Sequence, residues 1–168
     1  MFNQLFEEHE HKICVGEDIN IFTKKATKKL GLTFPSNYNM TEDFVNRFEV
    51  NKPLSKLIKK LKKRFKIGLL TNQYPNMLNM IIRKCLTPEV KWNAVVDSSV
   101  EKIRKPDRGI YLLAENKARV DPESILFVDN KLELLEPARQ RNWMTFEYDP
   151  SNPETSTTEL QKFIYKHK

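Results

Sequence analysis

Apolar residues recur at helical spacing through the first third of the chain. Phe2 to His11, Asp18 to Leu30 and Thr41 to Phe48 each predict a helix. Gly31 follows the second segment as a stop signal, and the third begins with a Thr as its N-cap. This part of the sequence contains no convincing strand. We therefore expect residues 1–50 to form a small helical subdomain.

The pattern changes after residue 50, where short apolar runs alternate with helical segments. The apolar runs are Ile67 to Thr71, Ala94 to Val96, Ile125 to Val128 and Met144 to Phe146. The helical segments are a lysine-rich helix opened by Pro53, then Pro75 to Cys85, Asp107 to Ala118, Leu132 to Arg141 and Thr158 to Tyr165. Strands that are apolar on both faces and separated by helices are typical of a parallel sheet with right-handed crossovers. Residues 51–168 thus predict a three-layer, doubly wound, Rossmann-like α/β core.

Length and composition agree with one core and a small appended subdomain. The chain has 168 residues, of which 39% are hydrophobic and 30% are charged. No apolar run approaches the roughly 18 residues that span a bilayer, and the acidic N-terminal segment does not resemble a signal peptide. We expect a cytoplasmic protein with no membrane partner.

The net charge of +7 raises the question of an anionic partner. Much of the charge lies between Lys56 and Lys66, where lysines are interleaved with apolar residues at helical spacing. This spacing favours an amphipathic helix with a solvated lysine face. A nucleic-acid patch is the disfavoured alternative, because no aromatic platform or reading motif accompanies the lysines.

Polar residues directly follow three of the predicted strands. They are Thr71 and Asn72, Lys105 in the loop after the second strand, and Asp129 and Asn130. The carboxyl ends of parallel strands meet at one edge of a sheet, so these side chains are expected to converge. A hydroxyl, an ammonium and hard oxygen ligands suit a phosphate group and Mg²⁺. Taken singly, each residue is also compatible with a helix cap or a solvated loop.

The order and spacing of these motifs resemble the haloacid dehalogenase superfamily, in particular phosphatase-like members with a small helical cap. Ile67 to Asn72 is similar to the second motif of the family, an apolar strand ending in Thr or Ser. Ser98 to Tyr111, with Lys105 before Pro and Asp, is similar to the third motif. Phe127 to Arg139 is similar to the fourth motif, which usually begins with a pair of acids.

The resemblance implies a role for each candidate residue. Thr71 and Asn72 would bind the phosphoryl group, and Lys105 would orient the nucleophile and stabilise developing charge. Asp129 and Asn130 would hold Mg²⁺. The implied activity is that of a magnesium-dependent phosphatase of small phosphorylated metabolites, in which an aspartate attacks phosphorus.

The sequence departs from the family pattern at the first motif. The family places a strand running into Asp-x-Asp before the cap, yet this chain begins inside the cap and contains no Asp-x-Asp. The nearest acid pairs are Glu8-x-Glu10, Asp121-x-Glu123 and Glu147-x-Asp149. The second acid of the fourth motif is also replaced, by Asn130, which predicts weak or absent Mg²⁺ binding. We therefore expect the chain to be incomplete or inactive by itself.

Two functional hypotheses follow from this departure. The chain is either part of an active phosphatase whose first strand and nucleophile lie upstream, or a non-catalytic module of the same fold that binds phosphate or a partner. The missing first strand would leave a gap in the sheet. We expect that the flanking strands pair directly, that Lys12 to Val15 fills the gap, or that the chain associates with another copy or partner.

Overall fold

The computed structural model describes residues 1–167. The α-helices are α1 Phe2–Cys14, α2 Ile19–Leu30, α3 Met40–Asn46, α4 Lys52–Leu61, α5 Met77–Arg83, α6 Ser98–Glu101, α7 Arg108–Ala118, α8 Leu132–Arg139 and α9 Pro153–Lys166. The strands are β1 Gly68–Thr71, β2 Ala94–Asp97, β3 Leu126–Asp129 and β4 Met144–Glu147. Of the helices within this part of the chain, none is both long and apolar enough to cross a bilayer.

The chain divides into two compact units. The first consists of Met1–Glu49, Leu70–Leu86 and Val96–Arg104. The second consists of Val50–Leu69, Thr87–Val95 and the chain from Lys105 onward. The predicted division into a cap (residues 1–50) and a core (residues 51–168) stays a prediction.

The four strands form two small sheets. β1 pairs with β2, and β3 pairs with β4 in parallel, with Leu126 opposite Met144 and Asp129 opposite Glu147. Each apolar run predicted as a strand is one, which confirms the predicted α/β class. The strand order of residues 1–167 contains no ladder between β1 and β3. The proposal that Lys12 to Val15 fills a strand position was wrong, because α1 extends through Cys14.

The core of the first unit is built on the aromatic rings of α1 and α2. Phe22 is fully buried and packs edge-on against Phe6, with 5.1 Å between ring centroids. Asp18 caps α2 by accepting a hydrogen bond from the Asn20 amide, and Gly31 ends the helix at φ 63°. Gly31 is the stop signal that the sequence predicted, whereas Asp18, predicted as the first residue of the helix, is its N-cap.

The N-cap predicted for the third helix was wrong by two residues. The Asn39 side chain accepts a hydrogen bond from the Glu42 amide at 3.0 Å, so α3 begins at Met40. Thr41 lies inside the helix and is buried. Asn and Thr both suit an N-cap, and here the Asn comes first along the chain.

The second unit packs helices around β3 and β4. The rings of Tyr111, Phe127 and Trp143 contact one another edge to face, with centroids 5.7 to 6.0 Å apart. Asp107 caps α7 by accepting a hydrogen bond from the Gly109 amide at 2.9 Å. This cap fixes the start of α7 at Arg108, three residues after the buried Lys105.

Candidate functional site

Lys105 and Asp129 form a buried ion pair in the second unit. Lys105 Nζ lies 2.5 Å from Asp129 Oδ2, and the two side chains are 6% and 9% exposed. Asp129 is the last residue of β3, and Lys105 lies in the segment that leads into α7. The structure thus brings together two of the residues that the sequence singled out at strand ends.

The two carboxylate oxygens of Asp129 have different partners. Oδ2 accepts from the Lys105 ammonium, and Oδ1 accepts from the backbone amide of Lys131 at 3.1 Å. The Lys105 Nζ atom also lies 5.1 Å from the ring centroid of Phe127. Both charges are therefore held in one orientation by neighbours on β3 and by the turn that follows it.

Burial and charge act in opposite directions on Lys105. Desolvation lowers the pKa of its ammonium from the ordinary 10.5, while the charge of Asp129 and their hydrogen bond raise it. Desolvation is the larger effect, so the net direction is downward. The pKa of the buried Tyr111 hydroxyl is raised, first by burial and then by the nearby Asp129 charge. The site is therefore a dry environment in which a charge interacts strongly with its partner.

Thr71 and Asn72 lie in the first unit, at the end of β1. Thr71 Oγ1 accepts a hydrogen bond from Gln73 Nε2 at 2.8 Å. The Gln73 backbone amide donates to Oγ of the fully buried Ser98 at 3.0 Å. The loop after β1 is thereby tied to the residue that follows β2. The convergence of Thr71 with Lys105 and Asp129 stays a prediction.

Gln73 has a positioning role that sequence reasoning missed. No signal in the sequence marked it, because its hydrogen bonds to Thr71 and Ser98 depend on how the loops after β1 and β2 lie together. Ser98 was identified only as the start of a motif, and its burial gives it a structural role as well.

A magnesium site would have to be built from few ligands. Within residues 1–167 there is no cluster of three or more His, Cys, Asp or Glu side chains that could hold a metal. Asp129 supplies a carboxylate, and the adjacent exposed Asn130 carries an amide oxygen. Mg²⁺ typically uses one or two carboxylates and keeps several waters, so this pair meets the minimum for the ion.

Comparisons with known proteins show the fold and the family of this chain. A comparison with curated proteins gave no significant match. Among solved structures, a HAD family enzyme from Bacteroides thetaiotaomicron in complex with magnesium and inorganic phosphate matches with a TM-score of 0.68. It shares 14% identity, and the match covers 84% of this chain and 73% of that one.

Two further structures match over more of the chain. A predicted HAD-like family hydrolase from Porphyromonas gingivalis has a TM-score of 0.71 and 18% identity, covering 94% of this chain and 78% of that one. A beta-phosphoglucomutase from Clostridium difficile has a TM-score of 0.59 and 14% identity, covering 99% and 88%. At these identities the likeness shows the fold. The family model for the haloacid dehalogenase-like hydrolase matches residues 7–140, most of the chain, and the protein belongs to that family.

Proposed function

We propose that this chain carries the phosphate- and magnesium-binding part of a phosphohydrolase that acts on small phosphorylated metabolites. The observation that supports this most is the buried pair of Lys105 and Asp129. A buried ion pair adds little net stability, because taking its charges out of water costs about as much as their attraction gains. Such pairs are common where charge must be stabilised during a reaction.

In this proposal the side chains of Thr71 and Lys105 bind the phosphoryl group. Thr71 Oγ1 already accepts a hydrogen bond from Gln73, so its own O–H remains available to donate to a phosphoryl oxygen. Lys105 would neutralise negative charge that develops on the phosphoryl oxygens. Asn72, next to Thr71, would add an amide donor.

Asp129 and Asn130 would hold Mg²⁺, which supplies Lewis-acid polarisation of the phosphoryl oxygens when bound. Two features weaken this site. Asn130 is neutral, and the Lys105 ammonium competes with a dication for Oδ2 of Asp129. We therefore propose that Mg²⁺ binds weakly and that phosphate and metal bind more tightly together than separately.

The acid pairs of this chain are poor substitutes for the family's nucleophile. Asp149 Oδ1 accepts hydrogen bonds from the backbone amide and the hydroxyl of Ser151. Hydrogen bonds from Asn152 and Ser151 lower the pKa of Asp149, which marks it as a turn-forming carboxylate. Glu10 accepts a hydrogen bond from the Tyr74 hydroxyl at 3.3 Å. Covalent phosphoryl transfer by this chain alone is therefore not expected.

Phosphate binding is the first test of this function. Isothermal titration of inorganic phosphate, with and without Mg²⁺, should show saturable binding to the wild-type chain and a loss of about tenfold or more in Lys105→Met. Lys28→Met, at an exposed lysine of α2, is the matched control and should bind as the wild type does. Equal affinity of all three chains would contradict the assignment of Lys105.

Hydrolysis of a generic phosphomonoester with Mg²⁺ is the second test. The 168-residue chain should not turn over p-nitrophenyl phosphate, because its sequence contains no Asp-x-Asp. Hydrolysis that disappears in Asp129→Ala or Lys105→Ala would show that another carboxylate has taken the role. Glu147→Gln and Asp149→Asn would then identify that carboxylate.

A second candidate function is a non-catalytic module that binds another copy or a partner through its sheet. The observation that favours it is the topology of β3, which has a ladder to β4 alone among the described strands. Light scattering after gel filtration tests this function, because strand addition predicts a dimer. A concentration-independent monomer would contradict self-association.

A further inference from the structure

The positive charge of this protein is concentrated in one segment of the second unit. Between Asn51 and Ile67 there are eight basic residues and no acidic residue, whereas the net charge of the whole chain is only +7. The rest of the chain is thus close to neutral. This segment forms α4 and the turn after it, up to the start of β1. A cluster of positive charges on one part of a protein surface attracts polyanions.

Apart from Lys66, six of these cations are exposed and not neutralised by a carboxylate. None of them forms an ion pair within the described chain of residues 1–167. They are Lys52, Lys56, Lys59, Lys60, Lys63 and Arg64. A surface built to stay solvated usually intersperses both signs of charge, and this one does not.

Two other lysines of the segment fix the shape of the turn. Lys62 Nζ donates to Oδ1 of Asn93, and Lys66 Nζ donates to the backbone carbonyl of Arg119 at 3.2 Å. These contacts hold the residues on either side of Lys63 and Arg64 against the body of the second unit. The exposed cations therefore project from a fixed backbone.

Exposed aromatic rings lie near the cations. The sequence of the lysine-rich segment had indicated no aromatic platform. Tyr165 of α9 is 40% exposed, and its ring centroid lies 5.7 Å from Lys60 Nζ. Lys162 lies one turn before Tyr165 on the same helix. Phe65, in the turn after α4, is 38% exposed. Packing of α4 against α9 thus joins ammonium groups and aromatic rings on one surface.

We propose that this surface of α4 and α9, formed by the exposed lysines of α4 and its turn with Lys162, Tyr165 and Phe65, binds single-stranded nucleic acid. The ammonium groups pair with successive phosphates, and the rings offer faces on which unstacked bases can lie. Charge complementarity would also fit an anionic membrane. However, the apolar stripe of α4 is buried, with Leu57 at 4% and Leu61 at 8% exposure, so the helix has no apolar face to insert.

Fluorescence anisotropy with a labelled single-stranded RNA of about 12 nucleotides tests this inference on the full chain. The variant K59Q/K63Q removes two exposed charges, and K24Q/K28Q on α2 removes the same charge from the first unit. Loss of two phosphate contacts should reduce the slope of log affinity against log salt by about 1.4 and the affinity at 0.15 M salt by about tenfold. The α2 variant should change neither by a comparable amount.

Tyr165→Leu separates stacking from charge. It should weaken RNA binding about fivefold or more while leaving the salt slope unchanged. Circular dichroism of each variant verifies that the fold is retained. The inference is overturned if the wild type does not bind RNA, if both double variants lose affinity equally, or if Tyr165→Leu binds as the wild type does. It is also overturned if duplex DNA or phosphatidylserine vesicles bind more tightly than single-stranded RNA.

Discussion

Replacing Asp129 by Asn should destabilise the second unit strongly and in a pH-dependent way. The variant keeps the shape of the side chain but removes the carboxylate charge with which the buried Lys105 ammonium, at 6% exposure, forms an ion pair. Breaking a buried ion pair in this way typically costs about 3–5 kcal/mol, compared with a total stability of about 5–15 kcal/mol.

Deprotonation of Lys105 sets an upper limit on that cost. Losing the proton of an amine with an unfolded pKa of 10.5 costs about 1.4 kcal/mol per pH unit below that value. The limit is therefore about 5 kcal/mol at pH 7 and about 2 kcal/mol at pH 9. The sign follows from linkage. Burial lowers the pKa of Lys105 in the folded state, so the unfolded chain binds more protons below pH 10.5 and the variant gains stability as pH rises.

Tryptophan fluorescence during urea unfolding reports on the relevant unit, because Trp92 and Trp143 both belong to it. Asp121→Asn, at an exposed carboxylate, is the matched control and should stay within about 0.5 kcal/mol of the wild type. The double variant Lys105→Met with Asp129→Leu should recover most of the loss, because it removes both buried charges. A cost below about 1 kcal/mol for Asp129→Asn, independent of pH, would refute the buried pair.

Three further predictions concern residues outside the pair. Glu115→Gln should lose stability at neutral pH but not in acid, because the hydrogen bond from Arg141 lowers the pKa of Glu115 below 4.5. The stability that the Glu115 carboxylate contributes is lost as pH falls through that lowered pKa. Urea unfolding at pH 7 and pH 3 measures this, and an equal loss at both would contradict it. Gly16→Ala should destabilise the protein by about 1–3 kcal/mol, because φ is +100° and a Cβ would lie 2.7 Å from the Ser99 carbonyl oxygen. An unchanged melting curve by circular dichroism would argue against this backbone geometry. Asn39→Ala should cost about 1 kcal/mol through loss of the α3 cap, and a thermal melt identical to that of the wild type would show that the cap contributes nothing.

Local signals in the sequence predicted much of the fold. Gly31 ends α2 as expected, because a left-handed glycine acts over only a few residues. The four apolar runs became the four strands for a similar local reason. The last helix was predicted too short, since α9 begins at Pro153, a residue well suited to the first helical turn.

Contacts between distant segments were harder to predict. Lys105 and Asp129 could be predicted because both follow strand ends, and residues at the carboxyl ends of parallel strands lie at the same edge of a sheet. The bidentate pair of Arg141 with Glu115, and the hydrogen bond of Trp143 to the same carboxylate, depend on side-chain packing between α7 and the segment before β4. No periodicity in the sequence indicates which side chains pair in this way, so the sequence did not predict these contacts.

Amide chemical shifts during a titration with phosphate and Mg²⁺ test the central claim most directly. The proposed site predicts that the amides of Thr71, Asn72, Lys105, Asp129 and Asn130 shift together, with one half-saturation concentration, and that these shifts are lost in Lys105→Met. Shifts confined to the lysines of α4, or separate titrations at Thr71 and at Asp129, would contradict a single phosphate site formed by these residues.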